Sequence, residues 1–231
     1  MISSETFGPR WHLFHGDCRV EWPRVASAFK VDAVLSDPPY GMDWDTDTTR
    51  FSGGLQGVSR GKEWASRVAG DAEPFDPSPW LGFPRVVLFG ANHYAQRLPV
   101  GTTLVWIKKQ DHNFGTFLSD AEVAWMKGGY GVYCYREQFP PPSRMRENFG
   151  EVAHPCQKPV GLGAWCLRRM GVEAGMTVLD PYCGSASFGV SCIESGVNYI
   201  GIDDKAENLT VARKRLIAAQ RQGRLDFSAR G

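Results

Sequence analysis

The sequence predicts an α/β fold, with strands and helices alternating around a mostly parallel sheet. Short apolar runs recur between stretches of helical spacing. Two of these runs end on a carboxylate, where open α/β sheets place their ligands. A later run passes into a turn of small residues and then a helix.

Trp11-His12-Leu13-Phe14 forms the first strand and runs into Gly16-Asp17. Val31 to Leu35 forms the second and ends at Ser36-Asp37. Asp43 to Pro79 is rich in Asp, Thr, Ser, Gly and Pro with little periodicity. It is too long for an ordinary connection and predicts a mobile substrate-side loop over 43–79, with a short helix near Lys62–Val68. Trp44 and Trp64 either meet substrate from this loop or anchor it to the core. Arg85 to Phe89 is a buried strand ending at Gly90. Thr103–Ile107 and Ala121–Met126 form an antiparallel hairpin. Gly128 to Val152 reads as irregular, with Tyr130, Tyr133, Tyr135 and three consecutive prolines. A helix is expected over Val160–Met170 and a strand over Thr177–Asp180. A helix follows from about Phe188 to Ser195, then a strand over Tyr199–Ile202 ending at Asp203-Asp204. The last helix, Ala206 to about Gln220, carries Leu209, Ala212 and Leu216 at helical spacing with Arg and Lys between them.

A chain of 231 residues can bury a substantial core as one domain. Hydrophobic and charged fractions of 42% and 22% are ordinary for a globular protein. No apolar run is long enough to span a bilayer, and the first residues lack signal-peptide order, so a cytoplasmic location is expected. The six cysteines (Cys18, Cys134, Cys156, Cys166, Cys183, Cys192) form no CxxC pair, and no histidines sit at zinc-finger spacing. No metal is expected, and the thiols read as reduced. A net charge of +1 does not mark a polyanion partner, so any basic face must come from local clustering.

Two constellations carry chemistry. The first spans Val178 to Asp203: strand, small-residue turn Cys183-Gly184-Ser185-Ala186-Ser187, helix, strand, acid. Small residues admit a close ligand, and an acid ending the next strand can accept from ribose hydroxyls. The plainer alternative is a turn that only packs helix on strand. Phosphate binding is disfavoured because no Lys-Ser/Thr pair follows the turn. The second is Asp37-Pro38-Pro39-Tyr40 after a buried strand. Two prolines lock the backbone and remove two N–H donors, leaving carbonyls without local competition. A carboxylate and a rigid carbonyl can then accept from one amine, while Tyr40 offers a flat face to a base.

Together these resemble the DNA amino-methyltransferases, which modify adenine N6 or cytosine N4. Asp180-Pro181-Tyr182-Cys183-Gly184-Ser185 is similar to the family's cofactor motif, Asp-Pro-Phe-x-Gly-Ser-Gly-Thr, and Asp203 to its ribose-binding acid. Gly16-Asp17-Cys18 resembles the element that contacts the cofactor's adenine. His154-Pro155-Cys156-Gln157-Lys158-Pro159 resembles the family's His-Pro-x-Gln-Lys-Pro segment, which precedes a helix packing beside the methionine end. Asn113-Phe114-Gly115 and Ser119-Asp120-Ala121-Glu122 are similar to segments of the later sheet. The tetrapeptide precedes the cofactor turn, which matches the circularly permuted beta subgroup.

The resemblance implies a single Rossmann-like domain over 1–231 with a seven-stranded sheet, and a short target-recognition segment over 128–153. It implies S-adenosylmethionine as methyl donor, double-stranded DNA as substrate and a homodimer. The implied catalytic residues are Asp37, Pro38, Pro39 and Tyr40. The implied cofactor residues are Asp17, Cys18, Asp37, His154, Gln157, Lys158, Asp180, Tyr182, Cys183, Gly184, Ser185, Ala186 and Asp203. Hydrogen bonds from an exocyclic amine to Asp37 and the Pro38 carbonyl would favour a pyramidal nitrogen that attacks the donor methyl, on a base flipped out of the stack. Lys108, Lys109, Arg136, Arg144 and Arg146 are candidate phosphate contacts, with a solvated surface as the alternative.

The sequence departs from the motif where Ala186 replaces the last glycine and Ser187-Phe188 replaces Thr-Thr. The added methyl would crowd the methionine end or force a new backbone angle. Pro155-Cys156-Gln157 resembles the nucleophile loop of cytosine-C5 enzymes, but it sits inside the His-Pro-x-Gln-Lys-Pro pattern and lacks their Glu-Asn-Val partner, so Cys156 reads as filler. Enzymes acting on RNA or on a protein glutamine carry Asn at the Asp37 position and the cofactor motif first, against the order here. A catalytically weak DNA-binding homologue is the reading from another class. Adenine is favoured because Ser-Pro-Pro-Tyr is the commoner cytosine form. With no nuclease motif, any restriction partner is expected to be a separate chain.

Overall fold

The computed structural model describes residues 10–41, 73–116, 119–148 and 157–222. Seven strands form one sheet: β1 (Trp11–His15), β2 (Ala33–Ser36), β3 (Val86–Phe89), β4 (Gly101–Ile107), β5 (Ala121–Arg136), β6 (Thr177–Asp180) and β7 (Asn198–Asp203). Their spatial order is β1-β7-β6-β2-β3-β5-β4. The β1–β7, β6–β7, β2–β6 and β2–β3 pairs are parallel, while β3 and β5 are antiparallel.

β5 is long because it pairs with β4 twice. Its first half runs against β4, with Thr102 opposite Met126, Leu104 opposite Ala124 and Ile107 opposite Ala121. This is the expected hairpin. Gly128 and Gly129, at φ of 81° and 66°, then take the chain round. Side-chain-bearing residues rarely adopt that angle. The second half returns in the same direction as β4, with Thr103 opposite Val132 and Ile107 opposite Arg136. The irregular segment expected over Gly128 to Val152 is thus corrected. The run Val132-Tyr133-Cys134-Tyr135 is strand-forming by composition, and a helix, α2 (Pro141–Glu147), follows.

Period-two alternation sorts the strand side chains onto two buried faces. Ala33, Leu35, Val87, Phe89, Val178 and Tyr199 face one cluster, closed by α3 (Val160–Met170), α4 (Ser187–Glu194) and α5 (Ala206–Gln222). Val34, Val86, Leu88, Leu179, Ile200 and Ile202 face the other, closed by α1 (Cys18–Ala28) and residues 75–98. With both faces covered, the central strands read as unbroken apolar runs. The expected helix over Val160–Met170 is found with those bounds, and Gly171 caps it in the left-handed region.

The sequence reading placed no helix at α1. That helix carries Pro23 in its interior and buries only Cys18 and Val25, so its apolar stripe is thin. The Asp17 side chain starts it by accepting from the Arg19 N–H at 2.9 Å. Residues 43–72 of the expected loop, with Trp44, Trp64 and the short helix, lie outside the described residues, as do His154 and Cys156. The described part, 73–79, is tied down: Phe75 is buried edge-on to Tyr94, and Arg97 donates to the Phe75 carbonyl at 2.9 Å. No described helix is long and apolar enough to cross a membrane.

Candidate active site

β1, β7, β6 and β2 lie side by side and parallel, so Asp17, Asp203, Asp180 and Asp37 all emerge at one edge of the sheet. The two constellations, far apart in sequence, are neighbours because β2 pairs directly with β6, Val34 opposite Leu179. Ser36 joins them by donating to Asp180 Oδ1 at 2.6 Å. β4 and the second half of β5 run in the same sense as β3, so Lys108, Lys109 and Arg136 reach that edge too.

Asp37 is held at both oxygens. Tyr40 donates its hydroxyl to Oδ1 at 2.5 Å, and the Lys158 ammonium donates to Oδ2. Each oxygen keeps a second acceptor direction for an incoming donor. Burial pushes the Asp37 carboxyl up, against the pull of Lys158, and the same burial and the Asp37 charge raise the Tyr40 phenol. Tyr40 stacks on His93 with centroids 5.0 Å apart and 9° between planes. Gly90 lets the ring in: a Cβ there would stand 2.0 Å from Tyr40 Cε1.

Asp180 is buried and accepts from Ser36, from the Tyr182 N–H at 3.3 Å and from the Tyr199 hydroxyl at 3.2 Å. Burial pushes its carboxyl up to about 7 against these bonds. The turn after it is braced from α5. Arg215, 3% exposed, donates to the Ser185 carbonyl at 2.8 Å and to the hydroxyls of Ser185 and Ser187, both at 3.0 Å. Its other nitrogen meets Glu147 at 3.3 Å. Asp203 accepts from the Gly184 N–H at Oδ2, and from the Lys205 N–H and Asn208 at Oδ1. One acceptor direction is left on Oδ2 by these bonds.

Ala186 answers the question its substitution raised. Its φ is 55° and its ψ 43°, so the backbone keeps the left-handed angle a glycine would have. The methyl is fully buried in the core cluster. The angle costs about 1–2 kcal/mol, while burying one methyl returns about 0.8 kcal/mol. Glycine also loses about 0.5–1 kcal/mol more chain freedom than alanine on folding. These terms nearly cancel. Ala186→Gly is therefore expected to change unfolding free energy by no more than about 1 kcal/mol, measured by thermal or urea denaturation.

The other sequence-predicted residues have these partners within the protein. Lys158 is on Asp37, and Gln157 is buried against Asn148 at 2.9 Å and Glu147 at 3.1 Å. Cys18 is buried in α1, and Asp17 forks onto Arg19. Tyr182 lies edge-on to Phe75, and Cys183 is buried beneath the turn. Of the basic candidates, Lys108 pairs with Glu122, Lys109 with Asp120 and Arg136 with Asp111. Arg144 donates to the Phe139 carbonyl and Arg146 to Ser143. The sequence reading gave no site role to Gly90, His93, Glu122 or Arg215. Arg215 had a signal: with Ala212, Leu216 and Ala219 it falls on the buried stripe of α5.

The profile of a DNA methylase family uniting N6 and N4 enzymes matches residues 106–214. The type II methyltransferase M2.DpnII of Streptococcus pneumoniae is 41% identical over 68 residues, covering 28% of this chain and 24% of that protein. Residues 106–214, a little under half of the chain, are thus similar to the N6-adenine/N4-cytosine DNA methylases. The chain matches about a quarter of the length of that curated relative. Among solved structures of lower identity, the M1.HpyAVI–SAM complex superposes with a TM-score of 0.55 at 19% identity, over 89% of this chain and 99% of that one. The cytosine-N4-specific PvuII DNA methyltransferase does so at 0.53 and 12% identity, over 94% and 95%. These two show that this chain shares their fold: a seven-stranded α/β sheet, mostly parallel, with an antiparallel pair.

Proposed function

We propose that this chain transfers a methyl group from S-adenosylmethionine to the N6 amine of adenine in double-stranded DNA, on a base flipped from the duplex. One arrangement carries the reading: Asp37, fixed by Tyr40 and Lys158, sits at the end of the strand paired with the one that enters the Asp180 turn. The turn suits the donor. Gly184 has φ of 50° and open space where a Cβ would stand, which admits a ligand, and Asp203 keeps an acceptor for a ribose hydroxyl. When bound, the donor supplies an electrophilic methyl on sulfonium sulfur.

The chain's own groups do the rest. Asp37 and the Pro38 carbonyl accept from the amine and turn its lone pair out of conjugation. Pro38 and Pro39 hold that carbonyl rigid. Tyr40 stacks on the extruded base. Preorganised acceptors of this kind supply rate through position and electrostatics. Lys108, Lys109 and Arg136 stand on the same edge and are assigned to the phosphates, with Arg144 and Arg146 of α2 beside them in sequence. The permuted motif order supports the beta subgroup and, with it, a homodimer, which sedimentation equilibrium tests.

The test uses labelled donor and duplex DNA, followed by digestion to nucleosides. Label in N6-methyladenine is the expected result. Label in N4-methylcytosine would move the target base, and label in neither would sink the reading. Asp203→Ala is expected to weaken donor binding about tenfold, the scale of a lost bond to a charged group. Calorimetry checks this, and an unchanged Kd would remove Asp203 from the site.

A further inference from the structure

Lys158 is nearly out of water, with its side chain 7% exposed. Besides Asp37, its ammonium lies 3.0 Å from Glu122 Oε2 and 5.6 Å from the Phe89 ring centre. The other oxygen of Glu122 takes Lys108 at 3.0 Å. Four charges of alternating sign thus run from Asp37 through Lys158 and Glu122 to Lys108, whose side chain is 27% exposed. Burying an ammonium is costly unless its partners are well placed. The resemblance put this lysine among the cofactor residues, and here it grips the carboxylate that is proposed to meet the base. A carboxylate held only at Oδ1 can turn about its Cβ–Cγ bond. Held at both oxygens, it cannot turn without breaking a charge-assisted bond.

We propose that Lys158 is the positioning residue of the catalytic carboxylate: braced by Glu122, its ammonium fixes Asp37 Oδ2 so that the carboxylate presents a set acceptor direction to the substrate amine. This rests on the methyltransferase reading above. Among the described residues, the groups that face Asp37 are Tyr40 from its own loop, Lys158, Glu122 from β5, Asp180 from β6, and Tyr94 after β3. Lys158 is the cation among them. Removing it favours protonated Asp37, so the acid limb of the rate moves to higher pH.

The experiment compares Lys158→Met, Lys158→Arg and the double variant Lys158→Met/Glu122→Gln in the full chain. Lys158→Met is expected to lower kcat about 100-fold, the scale of a lost preorganised contact, with donor Kd changed less than about threefold (~0.65 kcal/mol, from RT ≈ 0.59 kcal/mol). Lys158→Arg is expected to recover most of kcat. The double variant is expected to regain melting temperature but not kcat. In donor-free protein, the carbon NMR signal of the Asp37 carboxyl, assigned with Asp37→Asn, is expected to titrate at higher pH in Lys158→Met. Full kcat with a weakened donor Kd would overturn the proposal in favour of donor binding. Recovery of kcat in the double variant would reduce Lys158 to a counter-ion for Glu122. If Lys158→Met does not fold, the double variant, with one buried carboxylate fewer, decides. Should the wild type transfer no methyl, the function falls, while the Asp37 titration still reads whether Lys158 governs it.

Discussion

Asp37→Ala is expected to lower methyl transfer by about 10³-fold or more while donor Kd changes less than about threefold. The size follows from the role proposed for the carboxylate. An exocyclic amine shares its lone pair with the ring, and the groups available to pull it out of conjugation are Asp37 and the Pro38 carbonyl. Loss of one preorganised partner of developing charge costs 10²–10³ in kcat. Here the same change also frees Tyr40, whose hydroxyl is bonded to Asp37 at 2.5 Å, and unpairs the buried Lys158. The proposed donor site is the Asp180 turn and Asp203, whose bonds to Ser36, Tyr199, Gly184 and Arg215 do not pass through Asp37. Labelled-methyl incorporation measures the first quantity and calorimetry the second. Near-normal turnover would end the proposed mechanism. Loss of donor binding in step with turnover would make Asp37 a donor-site residue.

The strands were legible because each central one is apolar on both faces and ends on a chemically informative residue: Ser36-Asp37, Gly90, Asp180, Asp203. Covering a sheet on both sides erases the alternation that marks a half-exposed strand, yet the unbroken run is itself a signal. Two elements were not legible. α1 hides behind Pro23 and a polar surface, and only its cap, Asp17, announces it. The second half of β5 hides behind Gly128, Gly129 and Gly131, which read locally as loop. What makes it a strand is the open side of β4, a partner that no window of sequence contains.

The same limit applies to the site. Asp37-Pro38-Pro39-Tyr40 and the Asp180 turn are local patterns, so spacing alone exposed them. Lys158 also lay in a visible motif, but its partner is 121 residues away, and only the approach of the α3 entry to the end of β2 brings them together. Arg215 read as one of the Arg and Lys residues between the apolar positions of the last helix, yet three of its donor contacts go to Ser185 and Ser187. A buried arginine that braces a turn explains how Ser185-Ala186-Ser187 stays ordered without the usual glycine. The departure at Ala186 therefore bears on backbone angle, its methyl lying in the buried core.

Gly90→Ala is expected to cut kcat/KM for DNA about 100-fold, for a reason that touches no reacting atom. Gly90 has φ of 73°, and an added Cβ would stand 2.0 Å from Tyr40 Cε1 and 2.2 Å from Cδ1. Contacts that short force a shift, so Tyr40 must leave its place against Gly90 and beside His93. Its hydroxyl then leaves Asp37 Oδ1, and the base loses its stacking surface. A displacement near 1 Å at a reacting centre can cost 10²-fold. The left-handed angle adds about 1–2 kcal/mol of instability, so backbone strain and ring displacement must be separated. Gly171→Ala does this. Gly171 caps α3 at φ of 64°, and a Cβ there meets nothing within 4 Å. It is expected to lose comparable stability by thermal denaturation and keep kcat/KM within about twofold. Donor Kd, measured by calorimetry, is expected to stay within about threefold for both. Equal losses of activity in the two variants would trace the effect to strain. Loss confined to Gly90→Ala would place Tyr40, seated by a missing side chain, at the base-binding face of Asp37.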